Sequence, residues 1–375
     1  MVRFIIDLKL LYLIICVNFF LILKSTKITF NINFILILLF VFIHGIIAYS
    51  VLGITYNYLL SQIIGIGIVG SYFYNFCKLY RFEEIIIVYL KMALWIAVFG
   101  YFLWFLNINL NDGFRFQSIF TEPSHYAIVV IPACYYYLKS KDYLPFFAIF
   151  GTLLLSQSSI GYIGCGLMVI IPYLTIKRFY YLAGILPFVL LTFWIIYQNN
   201  ENVKLRVDDT YESFKVLNTG KFKYETNQST YALISNLFVA KCNFNDHPLG
   251  SGMGSHFVMH TEKYLFQMRP PNFLVTLKSE KINAPDAASL FIRLFSELGV
   301  FGLMLIFGLM YKAFTIFRYK NLFLAHGIVI YLLLKLFRDG HYFSPEFFFF
   351  IWILYFSFNE AKKKIVPTSD LLLEK

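Results

Sequence analysis

The chain of 375 residues is 59% hydrophobic and only 14% charged, with a mean hydropathy of +0.67. Soluble domains sit nearer half apolar and a quarter charged, so these totals exclude an ordinary soluble globular protein. The formal net charge of +11 would suit a nucleic-acid partner, but in so apolar a chain it reads as Lys and Arg held at one membrane face, and no nucleic-acid partner is expected.

A membrane-spanning helix needs about 20 mostly apolar residues. Runs of that kind fall near 4–23, 30–49, 55–76, 84–106, 122–138, 143–157, 159–176, 179–197, 288–311, 321–337 and 343–358. The first has no small-residue cleavage site behind it and reads as a span, not a removed signal peptide. The runs on either side of Ser156 to Ser159 are short, which leaves a tight hairpin and one broken helix both open. The expected fold is therefore an all-α integral membrane protein of about eleven (ten to twelve) transmembrane helices. Residues 1–197 would form an N-terminal bundle of about eight spans. Residues 198–287 would form a large extracytoplasmic loop, 288–358 about three C-terminal spans, and 359–375 a cytoplasmic tail.

Orientation follows from the short connections. Lys24/Lys27, Lys78/Arg81, Lys139/Lys141, Lys177/Arg178, Lys312/Arg318/Lys320 and Lys362/Lys363/Lys364 fall on alternate connections, which the positive-inside rule makes cytoplasmic. Eleven spans with a cytoplasmic C-terminus put Met1 outside, beside Arg3 and Lys9, so a missed or extra span near the N-terminus stays open. Residues 198–287 contain ten Lys/Arg and nine Asp/Glu, and a loop of that length is usually functional. Within it, Ser229 to Val239 has apolar residues at helical spacing and is expected along the membrane surface. His247 to Gly254 (HPLGSGMG) reads as a turn whose glycines permit positive φ.

Five cysteines (Cys16, Cys77, Cys134, Cys165 and Cys242) form no CxxC pair and no His-spaced cluster, four of them in apolar runs. Neither a disulfide framework nor a metal site is indicated, and no cofactor is expected. Phosphate-binding P-loops, HExxH and nucleophile elbows are missing from the sequence, so ATP-driven transport, zinc proteolysis and serine hydrolysis gain no support.

The polar residues on the outward connections carry the chemistry. Arg115, Glu122, Pro123, Ser124 and His125 lead into the fifth run. Pro123 suits a first helical position, Glu122 then meets the positive end of the helix dipole, and His125 shares its face. A capped helix start is the plain alternative. Arg293 lies inside an apolar run, about two turns from its end, at an insertion cost of about 2.5–3.5 kcal/mol. Glu297 can reach it from four residues on, so a self-neutralising ion pair and an anion site are both open. Lys335, Arg338 and His341 recur every three residues near Asp339, as a cationic stripe for an anion or as snorkelling side chains. Three arginines on one side of a membrane suit phosphate oxygens, and a carboxylate or histidine among them suits general-base work.

Four stretches in this order resemble the O-antigen and capsule polymerase family (Wzy-type), within the O-antigen ligase-like superfamily. They are GFRFQSIFTEPSHYA (113–127), LLLSQSSIGYIGCG (153–166), HPLGSGMGSH (247–256) and PDAASLFIRLFSELGVFGL (285–303). The resemblance implies a GT-C-like architecture in the bacterial cytoplasmic membrane and a glycosyl transfer on its outer side. An undecaprenyl-pyrophosphate-linked glycan would be the donor and a second lipid-linked repeat unit the acceptor, without metal or cofactor. A chain-length regulator and a flippase of the same pathway are the implied protein partners. Arg115, Arg293 and Arg338 would stabilise the departing pyrophosphate with His125 beside them. Glu122 is the leading base, followed by Asp286 and His341. The related ligases have a His-Asn pair where this chain has Pro285-Asp286-Ala287, which favours polymerase over ligase and argues against a histidine base at that point. A lipid-linked oligosaccharide flippase is the reading from another class, but transporters often carry internal repeats and none is found.

Overall fold

The structure, a computed structural model, describes residues 10–25, 27–108, 115–171, 179–199, 201–223 and 226–365. It is about 78% helical, with one isolated bridge, Lys221 to Arg269, in place of a sheet among the described residues. The helices are Leu10–Ser25 (α1), Ile32–Leu52 (α2), Asn57–Leu79 (α3), Phe82–Phe105 (α4), Pro123–Ser140 (α5), Tyr143–Leu155 (α6), Ser159–Ile170 (α7) and Phe179–Asn199 (α8). Glu201–Ser213 (α9), Val216–Thr219 (α10), Gln228–Asp246 (α11), His256–Val258 (α12) and Asn272–Thr276 (α13) follow, with a π-turn at Met259–Tyr264. Leu290–Thr315 (α14), Phe323–Arg338 (α15) and Pro345–Ile365 (α16) complete the chain.

Among the described residues, each of the eleven apolar runs contains a helix. Four helices among the described residues are long and apolar enough to cross a membrane: α2, α3, α4 and the stretch Leu290–Arg318. Shorter apolar helices lie at Tyr12–Lys24, Tyr143–Leu155 and Ser159–Ile170. Arg3, Lys9, Gly113, Phe114, Lys177, Arg178 and the tail from residue 366 lie outside the described residues. The serine turn separates two helices, α6 and α7, with Gln157 at φ +46° between them.

α15 and α5 form the centre of the bundle. Ile328 to Ile330 and Tyr331 on α15, and Val130, Ile131, Ala133 and Cys134 on α5, are fully buried. A helix apolar all round belongs inside a bundle. The two axes approach closely because Gly327 has no side chain: a Cβ there would sit 2.8 Å from the Pro132 backbone. Small residues at such crossings let helix backbones meet. Buried hydroxyl and indole groups find carbonyls, as in Tyr89 Oη to Val129 O (2.8 Å) and Trp352 Nε1 to Gly70 O (2.8 Å). Leu36, Ile47 and Val51 on α2 are exposed, as suits a face turned to lipid.

The segment 247–254 is locked onto a break in α14. Gly299 adopts φ +57°, ψ −131°, which interrupts the helix, and that region of backbone space is close to glycine-only. The freed groups bond across: Gly252 N donates to Glu297 O (2.8 Å) and Val300 N to Pro248 O (3.0 Å). Gly250, Gly252 and Gly254 all have φ near +90°, so two stretches far apart in sequence form one backbone junction. A Cβ on Gly299 would overlap the Pro248 carbonyl. Gly299→Ala is therefore expected to cost about 2 kcal/mol or more in stability from strain and overlap. Thermal unfolding in detergent should show it, with Gly308→Ala, where a Cβ meets nothing within 4 Å, left near wild type.

α11 departs from expectation. Its apolar face is covered by protein, with Tyr231, Ile234, Val239 and Ala240 fully buried and α14 packed alongside. The helical period read from the sequence therefore serves packing against α14. Asn227 caps it by accepting from Thr230 N (2.9 Å), while the Asn227 amide donates to Asp209 Oδ2 (2.6 Å) and ties α11 to α9.

Candidate functional site

α5 begins as its sequence dictates, with Pro123 at the first helical position and Glu122 in extended backbone before it. Ser124 Oγ donates to Glu122 Oε2 (3.0 Å), and His125 Nε2 lies 3.8 Å from the same oxygen. Both side chains are half or more exposed, so this contact adds little to stability. Instead they face a cavity of about 620 Å³.

That cavity gathers five of the seven residues singled out from sequence: Arg115, Glu122, His125, Asp286 and Arg338. Arg115 arrives from the chain before α5. Its Nε and Nη2 donate to Ser156 O (3.2 Å) and Gln157 O (2.9 Å), bracing the serine turn. Arg338 ends α15, its Nη1 3.4 Å from Ser229 O at the start of α11.

Three helices also begin on this cavity: α5 at Pro123–Ser124, α7 at Ser158–Ser159 and α11 at Ser229–Thr230. A helix start carries unpaired N–H groups and about half a positive charge, and so favours anions. This matters because the formal charges nearly cancel, with Glu122, Asp286 and Asp339 facing the two arginines and Lys335 standing behind Asp339. The starts of α5 and α7, which no side chain caps, tip the balance towards an anionic guest, whereas that of α11 is already capped by Asn227 with Asp209 beside it.

Lys335, Arg338 and His341 do not form the expected stripe. Lys335 is fully buried, donating to Asp339 Oδ2 (2.6 Å) and Ser344 Oγ (3.0 Å). α15 stops at Arg338, and Asp339 Oδ1 accepts the His341 N–H (3.0 Å). The helical spacing of three therefore fails beyond Arg338, and His341 turns towards a second cavity. Burial works to raise the Asp339 carboxyl, but Lys335 and the His341 N–H hold it below the usual carboxylate range.

The second cavity, about 410 Å³, is lined by Gln62, Asn283, Pro285, Asp286, Arg293, His341 and Phe343. Asn283 and Asp286 line both cavities. Asp286 Oδ1 accepts the Ala288 N–H (3.0 Å), and burial lifts its carboxyl above the ordinary range against the pull of that N–H and of Arg293. The local backbone is unusual: Ala287 and Ala288 both have φ +57°.

Because of that kink α14 starts only at Leu290, and Arg293 lies one turn inside it, not two. Arg293 is 3% exposed. Its Nε donates to Glu297 Oε1 (3.2 Å), its Nη1 to Gly340 O (3.0 Å), and its Cζ lies 4.1 Å from the Tyr342 ring centroid. Of the two readings left open by spacing, the geometry is that of an internal ion pair with an edge on the second cavity.

Glu297 is the centre of a buried polar cluster. Fully buried, it accepts from Arg293, Gly254 N (2.7 Å), His256 N (3.2 Å) and Tyr342 Oη (2.7 Å). His256 bridges Ser296 Oγ (2.9 Å) and Asn236 Oδ1 (3.0 Å), and burial holds its imidazole well below its ordinary pKa. Among the described residues no group of three or more His, Cys, Asp or Glu side chains has the arrangement of a metal site.

Neither family models nor curated proteins match this chain. The site therefore rests on its own geometry. Sequence reading named Asp339 without pairing it with Lys335, and missed Asn283 and Gln62. The four-residue spacing of Lys335 and Asp339 was a usable signal; Asn283 and Gln62 offered none, since each is one amide among many.

Proposed function

We propose that this protein is a membrane glycosyltransferase that joins lipid-linked oligosaccharide repeat units into an O-antigen or capsular polysaccharide on the outer side of a bacterial cytoplasmic membrane. One observation carries the reading: a single cavity combines Arg115, Arg338 and the uncapped starts of α5 and α7 with the carboxylates of Glu122 and Asp286. Such a site suits a sugar pyrophosphate, whose oxygens need several donors and whose departure needs charge stabilisation in place beforehand. The eleven-span topology, with residues 198–287 extracytoplasmic, belongs to the same proposal, as do the undecaprenyl carrier and the pathway partners.

In this mechanism the pyrophosphate of the glycan donor lies among Arg115, Arg338, His125 and the starts of α5 and α7. Asp286, shared between the cavities, replaces Glu122 as the preferred base, because Glu122 is exposed and already accepts from Ser124. The attacking sugar hydroxyl gives its proton to Asp286 and its oxygen bonds to the anomeric carbon. The bond from that carbon to the pyrophosphate breaks, and its electron pair leaves with the pyrophosphate. Arg293 acts indirectly, holding the wall of the second cavity.

Deleting the gene in its native strain and examining surface polysaccharide on a gel tests this. The expected result is loss of the long ladder with a single repeat unit left on the anchor, restored by wild type. Arg338→Ala and Arg115→Ala are each expected to restore about a hundredfold less polymer synthesis, the scale for removing one preorganised donor. Polymer that persists on its lipid carrier would instead indicate a ligase. Cytoplasm-facing lipid-linked units would indicate a flippase.

A further inference from the structure

The second cavity faces the first across Asp286 and Asn283 but has a different chemistry. Arg293 is its one arginine among the described lining residues, and Glu297 neutralises that charge at 3.2 Å. No helix among the described residues starts on it as α5, α7 and α11 start on the first. Beyond that ion pair it offers amide groups, an aromatic ring, the His341 imidazole and the Asp286 carboxylate that it shares with the first cavity. Gln62 and Asn283 contribute side-chain amides, and Phe343 contributes a ring held on its other contacts by Tyr12, at a centroid distance of 5.5 Å, and by Gly65. Gln62 Oε1 is buried and accepts no hydrogen bond, a costly arrangement unless a guest supplies the donor. Neutral hydroxyl groups, an apolar ring face and a volume of about 410 Å³ together describe a sugar ring.

We infer that the second cavity is the acceptor subsite, binding the neutral non-reducing sugar of the incoming repeat unit with a hydroxyl donating to Gln62 and its ring against Phe343. This rests on the glycosyltransferase reading above. Asp286 lines both subsites, so its carboxylate stands where a hydroxyl presented from the second cavity would lose its proton as its oxygen bonds to the anomeric carbon presented from the first. The charge difference also sorts the two substrates. The pyrophosphate end is drawn to the arginines and helix starts, while the neutral end loses less on entering a pocket whose ion pair is already satisfied.

The test uses the full-length protein in liposomes. The glycan donor is the lipid-linked repeat unit isolated from the deletion strain. The probe acceptor is the same oligosaccharide with its pyrophosphate lipid replaced by a short alkyl group, which can accept but not donate. Gln62→Met keeps the side-chain volume and removes the oxygen. It is expected to raise KM for the alkyl acceptor about five- to tenfold, the scale of one lost hydrogen bond, with the donor KM unchanged. Phe343→Leu should give the same split and serves if Gln62→Met does not insert. An unchanged acceptor KM in both variants, or a rise in the donor KM instead, overturns the subsite while wild-type transfer leaves the reaction standing. No transfer by wild type overturns both.

Discussion

Glu297→Ala is expected to lower stability by about 3–5 kcal/mol, the range for breaking a buried ion pair from one side. The loss goes beyond the Arg293 charge. Both carboxylate oxygens are fully used, Oε1 by Arg293 Nε and His256 N and Oε2 by Gly254 N and Tyr342 Oη. Truncation leaves the buried Arg293 charge with only the Gly340 carbonyl, and leaves two buried backbone N–H groups and the Tyr342 hydroxyl without that acceptor. A simple ion pair can often be exchanged for apolar residues at little cost. Here the double change Arg293→Met with Glu297→Met should not recover stability, since the Gly254 and His256 N–H groups remain orphaned. Folded fraction against temperature in detergent measures this. Recovery in the double variant would show that the charge pair alone matters and that the glycine-rich segment needs no anchor.

Asp286→Asn is expected to lower the polymerisation rate about 10²- to 10⁴-fold, the usual worth of a general base, with the fold retained. Asparagine keeps an oxygen for the Ala288 N–H but cannot take a proton. Burial raises the Asp286 carboxyl above the ordinary range, and a base works only when deprotonated. Wild-type activity should therefore fall as pH drops through that raised value, with an acid limb above the position near pH 4 that an unperturbed aspartate would give. Polymer yield and initial rate across pH, at matched protein levels, check both points. Glu122→Gln serves as the comparison and should retain more activity. A reversed ranking would return the role to Glu122.

The helical architecture was open to sequence because apolar runs of bilayer length have few other outcomes. The start of α5 was equally open, since a Glu-Pro-Ser sequence before an apolar run has a strong local reason to begin a helix there. What spacing could not reach was the pairing between distant segments. Nothing in HPLGSGMG announces that it docks on a break at Gly299, and nothing marks Asp286 as the wall between two cavities. The stripe drawn through Lys335, Arg338 and His341 failed because it continued a helix past its end. Arg293 was placed correctly with Glu297 because four-residue spacing is a local property, but the other donors to Glu297 come from two separate segments, one holding Gly254 and His256 and the other Tyr342. Gly340 has the same character: a Cβ there would overlap the Asp286 carbonyl, a requirement visible only once the two chains are side by side.

The most direct measurement is reconstitution of the purified protein in liposomes with the lipid-linked repeat unit isolated from the deletion strain, following glycan length over time. The proposed chemistry predicts a ladder of longer glycans on the lipid, one free lipid pyrophosphate released for each unit joined, and neither product with Asp286→Asn. Repeat units left unjoined by folded wild-type protein would contradict it.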